Sequence, residues 1–157
     1  MASSTVVHNT FVIERTYKKP LAAVFAAFGD ASTKRRWYAE GGGHDVEAFE
    51  SDFTVGGVER LRYRFKEGTP FPGVILENNG SHKEIVKDNR VVVESSMTLG
   101  GKCISVTLVT FEFLPHEDGT KLICTHQGVF FEGADGPQMR EMGWKAILDR
   151  LSNAVEN

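Results

Sequence analysis

The stretch Pro137–Val155, which reads PQMREMGWKAILDRLSNAV, decides how this chain folds. Its apolar residues recur three and four positions apart, which is the spacing of one face of an α-helix. A helix of about five turns is therefore predicted. It is the only element long enough to close the open face of a six- or seven-stranded sheet. The apolar stripe consists of Met139, Met142, Trp144, Ala146, Ile147, Leu148, Leu151, Ala154 and Val155.

Most of the chain before this helix reads as strand after strand. Apolar and polar residues alternate in short runs, and the turns are short and rich in Gly or Asp, as expected for sequential antiparallel neighbours. The segment Glu67–Gly80, which holds Pro70, Pro72 and three glycines, is predicted to be a loop with a short extended piece at Val74–Leu76. The predicted strands are Val6–Tyr17, Val46–Phe53, Val58–Phe65, Ser81–Val86, Arg90–Met97, Ile104–Phe113 and Thr120–Gly128.

Two short helices are predicted between the first two strands. Pro20 suits the first position of a helix, and Gly29 suits its end. Asp30 can cap a second short helix that runs to about Trp37. The apolar stripe of the first of these helices is Leu21, Val24, Phe25 and Phe28.

This order of elements defines the fold class. We expect an α+β domain in which a curved antiparallel sheet of six to seven strands wraps around the C-terminal helix and encloses a small-molecule cavity. One domain is predicted for residues 1–157, with a core over about residues 6–155, because the sequence shows no repeat, low-complexity tract or linker.

Composition argues against several classes of partner. Lys and Arg number 18 against 21 Asp and Glu, so the net charge is −3. Nucleic-acid binding is not expected, because it needs a basic face to neutralise phosphates. No apolar run approaches the length of a membrane span, and no basic run flanks an apolar helix, so no membrane partner is expected. Met1–Ser4 does not open a signal peptide, and the expected location is cytoplasmic.

No metal, cofactor or activated nucleophile is expected from the motifs. Cys103 and Cys124 form no CxxC pair and have no His at ligand spacing, so we expect two buried free thiols and no zinc. The glycines of 41–43 precede a strand rather than a helix, which is not the geometry of a phosphate loop. No Gly-x-Ser-x-Gly elbow is present.

Strand alternation predicts which residues face the cavity. In Val58–Phe65 three arginines share one face, which we expect to lie in water, so the other face turns inward. The predicted ligand-binding residues are Leu61, Tyr63, Phe65, Val109, Phe111, His126, Met139, Met142 and Trp144. Such mixed aromatic, aliphatic and Met walls suit a small apolar or aromatic ligand, and the alternative is that the same residues fill a core.

Three residues are candidates for acid–base chemistry. His126 could act as a general acid or base near neutral pH, donate to a ligand carbonyl, or be a core histidine bonded to the backbone. Glu59 could pair with His126, hold Arg15, or lie solvated at a strand end. Tyr63 could polarise a carbonyl or pack with its hydroxyl in water.

The other four histidines give weaker signals. His82 and Glu84 share one face of a strand whose direction the alternation does not settle. His8, His44 and His116 are expected to be exposed at the terminus, in a loop and in a turn. None of the five histidines has the spacing of a metal site.

Four short motifs are shared with a known family: RWY at Arg36–Tyr38, FTVGGVER at Phe53–Arg60, GTKL at Gly119–Leu122, and Gly143-Trp144 with Leu148 and Leu151. From about Phe11 to Leu151 the chain resembles the bacterial heat-shock-protein-90 ATPase-activator-like family. That family belongs to the START-like, birch-pollen-allergen-like superfamily, also called SRPBCC or polyketide cyclase. The resemblance implies the helix-grip fold, in which a bent antiparallel sheet grips the last helix around a cavity.

The resemblance leaves three functions open, because this scaffold hosts ligand carriers, cyclases, dehydratases and co-chaperone modules. The first is binding of a small apolar ligand without catalysis, by a monomer or homodimer. The second is an enzyme of the cyclase, dehydratase or hydrolase kind with His126 as acid–base group. Some relatives have Glu at that position, so no family role is transferred to His126. The third is stimulation of a chaperone ATPase, ranked last because the eukaryotic co-chaperone carries an additional domain.

Overall fold

Seven strands form one antiparallel sheet in the computed structural model, which describes residues 5–156. The strands are β1 Val7–Tyr17, β2 His44–Ser51, β3 Val58–Phe65, β4 Ile75–Val86, β5 Arg90–Leu99, β6 Lys102–His116 and β7 Gly119–Phe130. Their order across the sheet is β1-β7-β6-β5-β4-β3-β2. The first and second strands of the chain therefore lie at opposite edges. The absence of a signal peptide was predicted from Met1–Ser4, which lie outside the described residues.

The helices follow the predicted order. They are α1 Leu21–Gly29, α2 Ala31–Lys34, a π-helical turn at Arg35–Ala39, and α3 Pro137–Glu156. The predicted α+β helix-grip architecture is confirmed, with a curved sheet, two short helices after the first strand and a long C-terminal helix. No helix within residues 5–156 has the length and apolar character needed to cross a membrane.

The core lies between the curved sheet, the short helices and α3. Phe28 of α1 is fully buried and packs its ring against Trp37, Phe111 and Phe113. The hydroxyl of Tyr17 in β1 donates to the backbone carbonyl of Leu148 at 3.0 Å, which fixes α3 against the edge of the sheet. The bond between Tyr17 and Leu148 joins residues 131 positions apart, so the position of the helix depends on distant parts of the chain.

The start of the helical segment between β1 and β2 follows local rules. Asp30 accepts from the backbone N–H of Ser32 at 3.2 Å and from the hydroxyl of Thr33 at 2.8 Å. It therefore caps α2 as predicted. Pro20 is the N-cap residue of α1 rather than its first helical residue. The second helix extends beyond the predicted Trp37 because the π-helical turn continues it to Ala39.

The prediction that Glu67–Gly80 is a loop with a short extended piece at Val74–Leu76 is wrong for Glu77–Gly80. Ile75–Gly80 is the first part of β4, which pairs with β3 on one side and β5 on the other. Asn and Gly disfavour strands, but pairing on both sides overrides that local preference. Gly80 is required there, since a Cβ would lie 2.2 Å from the carbonyl oxygen of Glu94. This correction brings Asn78 onto the inner face of the sheet.

Two further expectations from strand alternation are corrected. Cys124 is a buried free thiol as expected, but Cys103 is exposed. His82 and Glu84 do not share a face, because a β-bulge lies between them. His82 is fully buried, whereas the carboxylate of Glu84 binds Arg90 at the surface. An extra residue in one strand reverses the alternation beyond it, and the sequence does not mark its position.

The outward face of β3 agrees with the alternation. Arg62 bridges Glu47 and Glu77 with hydrogen bonds of 3.0 and 2.8 Å, and Arg64 adds a second bond to Glu47 at 3.0 Å. Arg60 lies within 4.0 Å of Glu77 on the same face. The arginines therefore form a surface ion-pair ladder, and the inner face of β3 is left to the cavity.

Candidate ligand-binding cavity

A cavity of about 430 Å³ lies between the inner face of the sheet, the π-helical turn and α3. Its apolar walls include Trp37, Leu61, Phe65, Leu76, Val93, Met97, Leu99, Ile104, Val109, Phe111, Trp144 and Ile147. Its polar side chains include Lys34, Tyr38, Glu59, Tyr63, Asn78, Ser95, Thr107, His126, Asp135 and Arg140. The surface is therefore largely apolar, with polar groups gathered at a few places.

The structure places the predicted lining residues around this cavity, with one exception. Leu61, Tyr63, Phe65, Val109, Phe111, His126, Met139 and Trp144 all line it, and so does Glu59. Met142 does not line it and is 67% exposed, so its predicted inward position is wrong. Met139 lies at the rim and is 62% exposed.

The rotation of α3 explains why the methionines lie outside. Leu148 and Leu151 are fully buried and set which face of the helix meets the core. At about 100° per residue, Met142 lies about 180° around the helix from Leu151, on the far side. Arg140 returns to within about 80° of Leu148. Arg140 therefore faces the core at a position where the hydrophobic pattern predicts Met139 or Met142.

Arg140 is held in a buried cluster at the start of α3. Its guanidinium forms two hydrogen bonds with the Asp135 carboxylate, at 2.8 and 2.7 Å, and donates to the hydroxyl of Ser105 at 3.0 Å. The ring of Phe130 lies 5.0 Å from the guanidinium carbon, which is a cation–π distance. Arg140 is only 7% exposed. The guanidinium of Arg140 is therefore held in place by Asp135, Ser105 and the Phe130 ring.

His126 projects from β7 into the same region. Its backbone pairs with Phe11 of β1 and Val109 of β6, and its imidazole stacks on the ring of Phe11 with centroids 4.4 Å apart. The ring is 1% exposed, and its Nδ1 has no hydrogen-bond partner among the described residues. Burial and the positive charge of Arg140 lower the pKa of His126 to about 4. At neutral pH the imidazole is uncharged.

The pH dependence of stability should report this histidine. The pKa of His126 falls from 6.5 to about 4 on folding, so unfolding takes up a proton in that window. The free energy of unfolding is unaffected by this histidine above pH 6.5. As the pH falls from 6.5 toward about 4, protonation of His126 in the unfolded chain lowers the free energy of unfolding by up to about 3 kcal/mol. We expect denaturant titrations of the His126→Phe variant to lack this part of the decline. His116→Phe, at an exposed turn, should keep it, and parallel curves for His126→Phe and the unchanged protein would contradict the assignment.

A second buried polar cluster lies at the π-helical turn. The ammonium of Lys34 binds the carboxylate of Glu59, and both side chains are nearly inaccessible to solvent. The Nε2 atom of His82 lies 3.6 Å from the same carboxylate oxygen, and its Nδ1 lies 3.2 Å from the carbonyl of Gly57. Burial raises the pKa of Glu59, but Lys34 and His82 outweigh it and bring the pKa to about 2. The carboxylate is therefore ionised at neutral pH.

These contacts correct the partners considered for Glu59. The carboxylate is neither solvated nor paired with His126 or Arg15. Arg15 instead binds Asp149 of α3 at 3.1 Å. Lys34 could not be recognised as the partner, because it lies 25 residues away in sequence within a polar stretch of a short helix. Only the packing of that helix on β3 brings the two charges together.

A polar strip crosses the floor of the cavity between the two clusters. Residues in register across the sheet include Gly80 of β4, Ser95 of β5, Thr107 of β6 and Gly128 of β7. The hydroxyls of Ser95 and Thr107 lie 3.1 Å apart. A Cβ at Gly128 would lie 3.1 Å from the His126 ring, so this glycine leaves room on the inner face. Ser95 and Thr107 line the cavity and the two glycines do not, so the hydroxyl pair is the part of this strip that the cavity reaches.

Tyrosine hydroxyls provide the remaining polar atoms of the wall. The side-chain amide of Asn78 donates to the Tyr38 hydroxyl at 3.0 Å, and burial raises the pKa of Tyr38. Burial raises the pKa of Tyr63 to about 12. The ring of His44 stacks on Tyr63 with centroids 3.7 Å apart, and a His44 ring nitrogen lies 2.6 Å from the Ala39 carbonyl. His44 is thus half-buried rather than exposed as expected, whereas His8 and His116 are exposed.

Some lining residues were missed, for different reasons. Thr107 shares the alternation of Val109 and Phe111, so parity could have found it. Arg140 and Glu141 both fall in register with the buried Leu148 and Leu151 of α3, so the spacing alone does not single out Arg140. Asn78 lay in a segment read as a loop. Among the described residues, no group of three or more His, Cys, Asp or Glu side chains is arranged to hold a metal ion.

The sheet, the gripped helix and the enclosed cavity define a helix-grip protein of the START-like class. Residues 18–156 match the sequence pattern of the family described as activator of Hsp90 ATPase homolog 1-like protein. The chain belongs to this family, which confirms the resemblance noted from its motifs. No curated protein matches the chain.

Solved structures of similar proteins agree with this assignment. The Mll3558 protein from Rhizobium loti is 39% identical, with 96% of this chain and 99% of that chain covered and a TM-score of 0.84. A protein from Rhizobium leguminosarum is 32% identical, with 96% of both chains covered and a TM-score of 0.88. The AHSA1-like protein from Aeromonas hydrophila is 22% identical, covers 94% of this chain and 92% of that chain, and has a TM-score of 0.65, so it shares the fold.

Proposed function

We propose that this protein binds a small, mainly apolar molecule in the cavity between the sheet and α3. The observation that carries the proposal is a cavity of about 430 Å³ with largely apolar walls and a few grouped polar side chains. Small-molecule sites are commonly about 300–1,000 Å³ and are lined in this way. Trp144 and Phe111 pack against each other in its wall, with ring centroids 5.7 Å apart, and present aromatic surface to a ligand.

The energetic cost of an apolar cavity also supports the proposal that a ligand binds here. An apolar cavity costs a protein stability in proportion to its volume, because the lining atoms lack contacts on one side. Well-packed interiors have few voids larger than a water molecule. A ligand that fills this space restores those contacts and stabilises the folded chain. Because a bound ligand offsets the cost of the cavity, we interpret the cavity as a binding site rather than as a packing defect.

The rim of the cavity suits the entry of an apolar molecule. Phe71, from the loop between β3 and β4, lines the cavity and is 48% exposed. Met139 lines it from the start of α3 and is also exposed. Exposed apolar side chains around an opening are typical of ligand-binding grooves. Flexible Met and rotatable Phe side chains adapt to the shape of what passes.

A binding experiment with a blocked variant tests the proposal. We expect 2-ethylnaphthalene to raise the melting temperature, since a ligand at about one hundred times its Kd adds about 2.7 kcal/mol to the free energy of unfolding. Val109→Trp should abolish the shift, because Val109 is 5% exposed and lies on the cavity floor. Val12→Trp, on the outer face of β1, should keep it. Equal shifts in the two variants would place binding outside the cavity and overturn the proposal.

The acid–base alternative has less support from the geometry. It requires a carboxylate or hydroxyl within hydrogen-bond distance of the His126 imidazole to orient it. Among the described residues, no side chain makes such a bond. With its pKa at about 4, His126 is also a weak base at neutral pH. Binding without catalysis therefore fits this site better.

The family description supplies the second candidate, which is stimulation of a chaperone ATPase. Mixing the protein with an Hsp90-type chaperone and following ATP hydrolysis tests it directly. A rate that rises with protein concentration and saturates would support this function. A flat titration would leave the cavity as the basis of function.

A further inference from the structure

Two sets of hydrogen-bond donors on the cavity wall have no partner in the protein. Arg140 uses its Nε and Nη2 atoms to bind Asp135 and Ser105. Its Nη1 amine makes no hydrogen bond to any described residue, although the side chain is only 7% exposed. The hydroxyl of Tyr63 also makes none within residues 5–156, and both residues line the same cavity. Both atoms are accessible from the cavity, so a ligand bound there can supply the acceptor that the protein does not.

The two donors lie on different walls of the same cavity. Tyr63 lies on β3 and Arg140 at the start of α3, so they approach from the sheet and from the helix. The charges of Arg140 and Asp135 both act on the Tyr63 phenol, and they act on His126 as well. Asp135 and Ser105 hold the guanidinium in place, and His44 stacks on Tyr63. The donor pair is therefore preorganised.

The charge balance of the cavity selects an uncharged acceptor. Asp135 neutralises Arg140, and Glu59 neutralises Lys34. His126 is uncharged at neutral pH. At the Arg140 end of the cavity a carboxylate would leave water and meet no uncompensated positive charge, because Arg150, which lines the cavity and binds the Trp37 carbonyl, lies ten residues further along α3. Burial of an unpaired ion is expensive, whereas a carbonyl oxygen gives up much less hydration and accepts both donors.

We propose that the ligand of this cavity carries an uncharged carbonyl oxygen, as in an aromatic ketone or a lactone, which accepts hydrogen bonds from Nη1 of Arg140 and the hydroxyl of Tyr63. This inference rests on the proposed function and adds the chemical class of the ligand. The aromatic part of such a molecule lies against Phe111 and Trp144. The carbonyl lies at the Arg140 end, beside the neutral ring of His126.

Three probes of one shape test the inference. They are 2-acetylnaphthalene, which has a neutral carbonyl, 2-ethylnaphthalene, which has a methylene in its place, and 2-naphthoate, which has a negative charge. Fluorescence titration at pH 7 should show that the ketone binds about tenfold more tightly than the hydrocarbon or more, because hydrogen bonds from a charged donor are among the stronger ones. The carboxylate should bind more weakly than the ketone.

Variants assign the preference to the two donors. Tyr63→Phe, and the charge-neutral double substitution Arg140→Met with Asp135→Asn, should each reduce the ratio of ketone to hydrocarbon affinity by about threefold or more while hydrocarbon affinity changes little. Tyr17→Phe is the matched control: its hydroxyl binds Leu148 outside the cavity, so the ratio should be unchanged. If the double variant does not fold, Tyr63→Phe decides.

The outcomes separate this inference from the proposed function. Equal binding of ketone and hydrocarbon, tighter binding of 2-naphthoate, or a preference that survives Tyr63→Phe would each overturn the carbonyl site and leave cavity binding standing. Failure of all three probes to bind the unchanged protein would count against both. A ketone preference that falls in the variants and persists in Tyr17→Phe supports the site.

Discussion

Phe28→Ala should lower the free energy of unfolding by about 3–5 kcal/mol, as found for the loss of large buried aromatic side chains. Phe28 is fully buried, and its ring lies 4.8 Å from that of Trp37 and 5.0 Å from those of Phe111 and Phe113. The substitution removes these contacts and opens a void beside the existing cavity. Trp37 and Phe111 also line that cavity. These neighbouring side chains are therefore not free to move into the space that the Phe28 ring leaves. Guanidinium denaturation followed by tryptophan fluorescence and circular dichroism measures the loss.

The matched control is Phe71→Ala at the cavity rim. Phe71 is 48% exposed, so the same substitution there should change the free energy of unfolding by less than about 1 kcal/mol. A similar loss in the two variants would mean that α1 does not anchor the core. A loss below about 1 kcal/mol in Phe28→Ala would show that the core repacks freely around this position, contrary to the structure.

Lys34→Met should cost about 3–5 kcal/mol, because it leaves the buried Glu59 carboxylate without its main partner. The Lys34 ammonium also lies 5.8 Å from the ring centroids of Phe28 and Trp37 and 5.2 Å from that of Tyr38, so it is enclosed by aromatic rings. Replacement of both charges, in the Lys34→Met and Glu59→Gln double variant, should recover most of the loss, since no unpaired ion then remains. Urea denaturation at pH 7 of the four proteins of this cycle gives the coupling.

The neighbouring exposed pair provides the comparison. Arg35 binds Glu40 at 2.8 Å, but their side chains are 40% and 45% exposed. Arg35→Met should therefore cost less than about 1 kcal/mol. The free energy of unfolding that the double variant at Lys34 and Glu59 loses could equal the sum of the two single losses. The two residues would then not be coupled, which would contradict the buried ion pair.

Local rules predicted the elements of this protein well. Alternation identified the strands, and the spacing of three and four identified α3, because each pattern reflects one buried face. Asp30 and Gly29 marked the boundary between α1 and α2 through capping chemistry. The segment Glu77–Gly80 was missed, because Asn and Gly have low strand propensity and the strand exists through its two neighbours.

The site was predictable only where it follows from alternation. Leu61, Tyr63 and Phe65 lie inside because the arginines of the same strand lie outside, and this holds for any curved sheet with one wet face. The phase of α3 was not predictable to the same degree, since its apolar stripe is broad and includes two methionines. The packing of Leu148 and Leu151 against the core fixes the rotation of α3 about its axis, which places Met142 in solvent and Arg140 on the inner side.

By itself, the sequence determined the order of elements, the inner faces of β3, β6 and β7, and the family of the chain, since these depend on periodicity, capping and short motifs. The tertiary structure alone decided which charges meet. Lys34 with Glu59, and Arg140 with Asp135 and Ser105, are pairings set by how α2 and α3 pack on the sheet. Long-range packing also left the cavity between them, and the free donors of Arg140 and Tyr63 on its wall, because a helix laid across a bent sheet cannot fill all the space that it encloses.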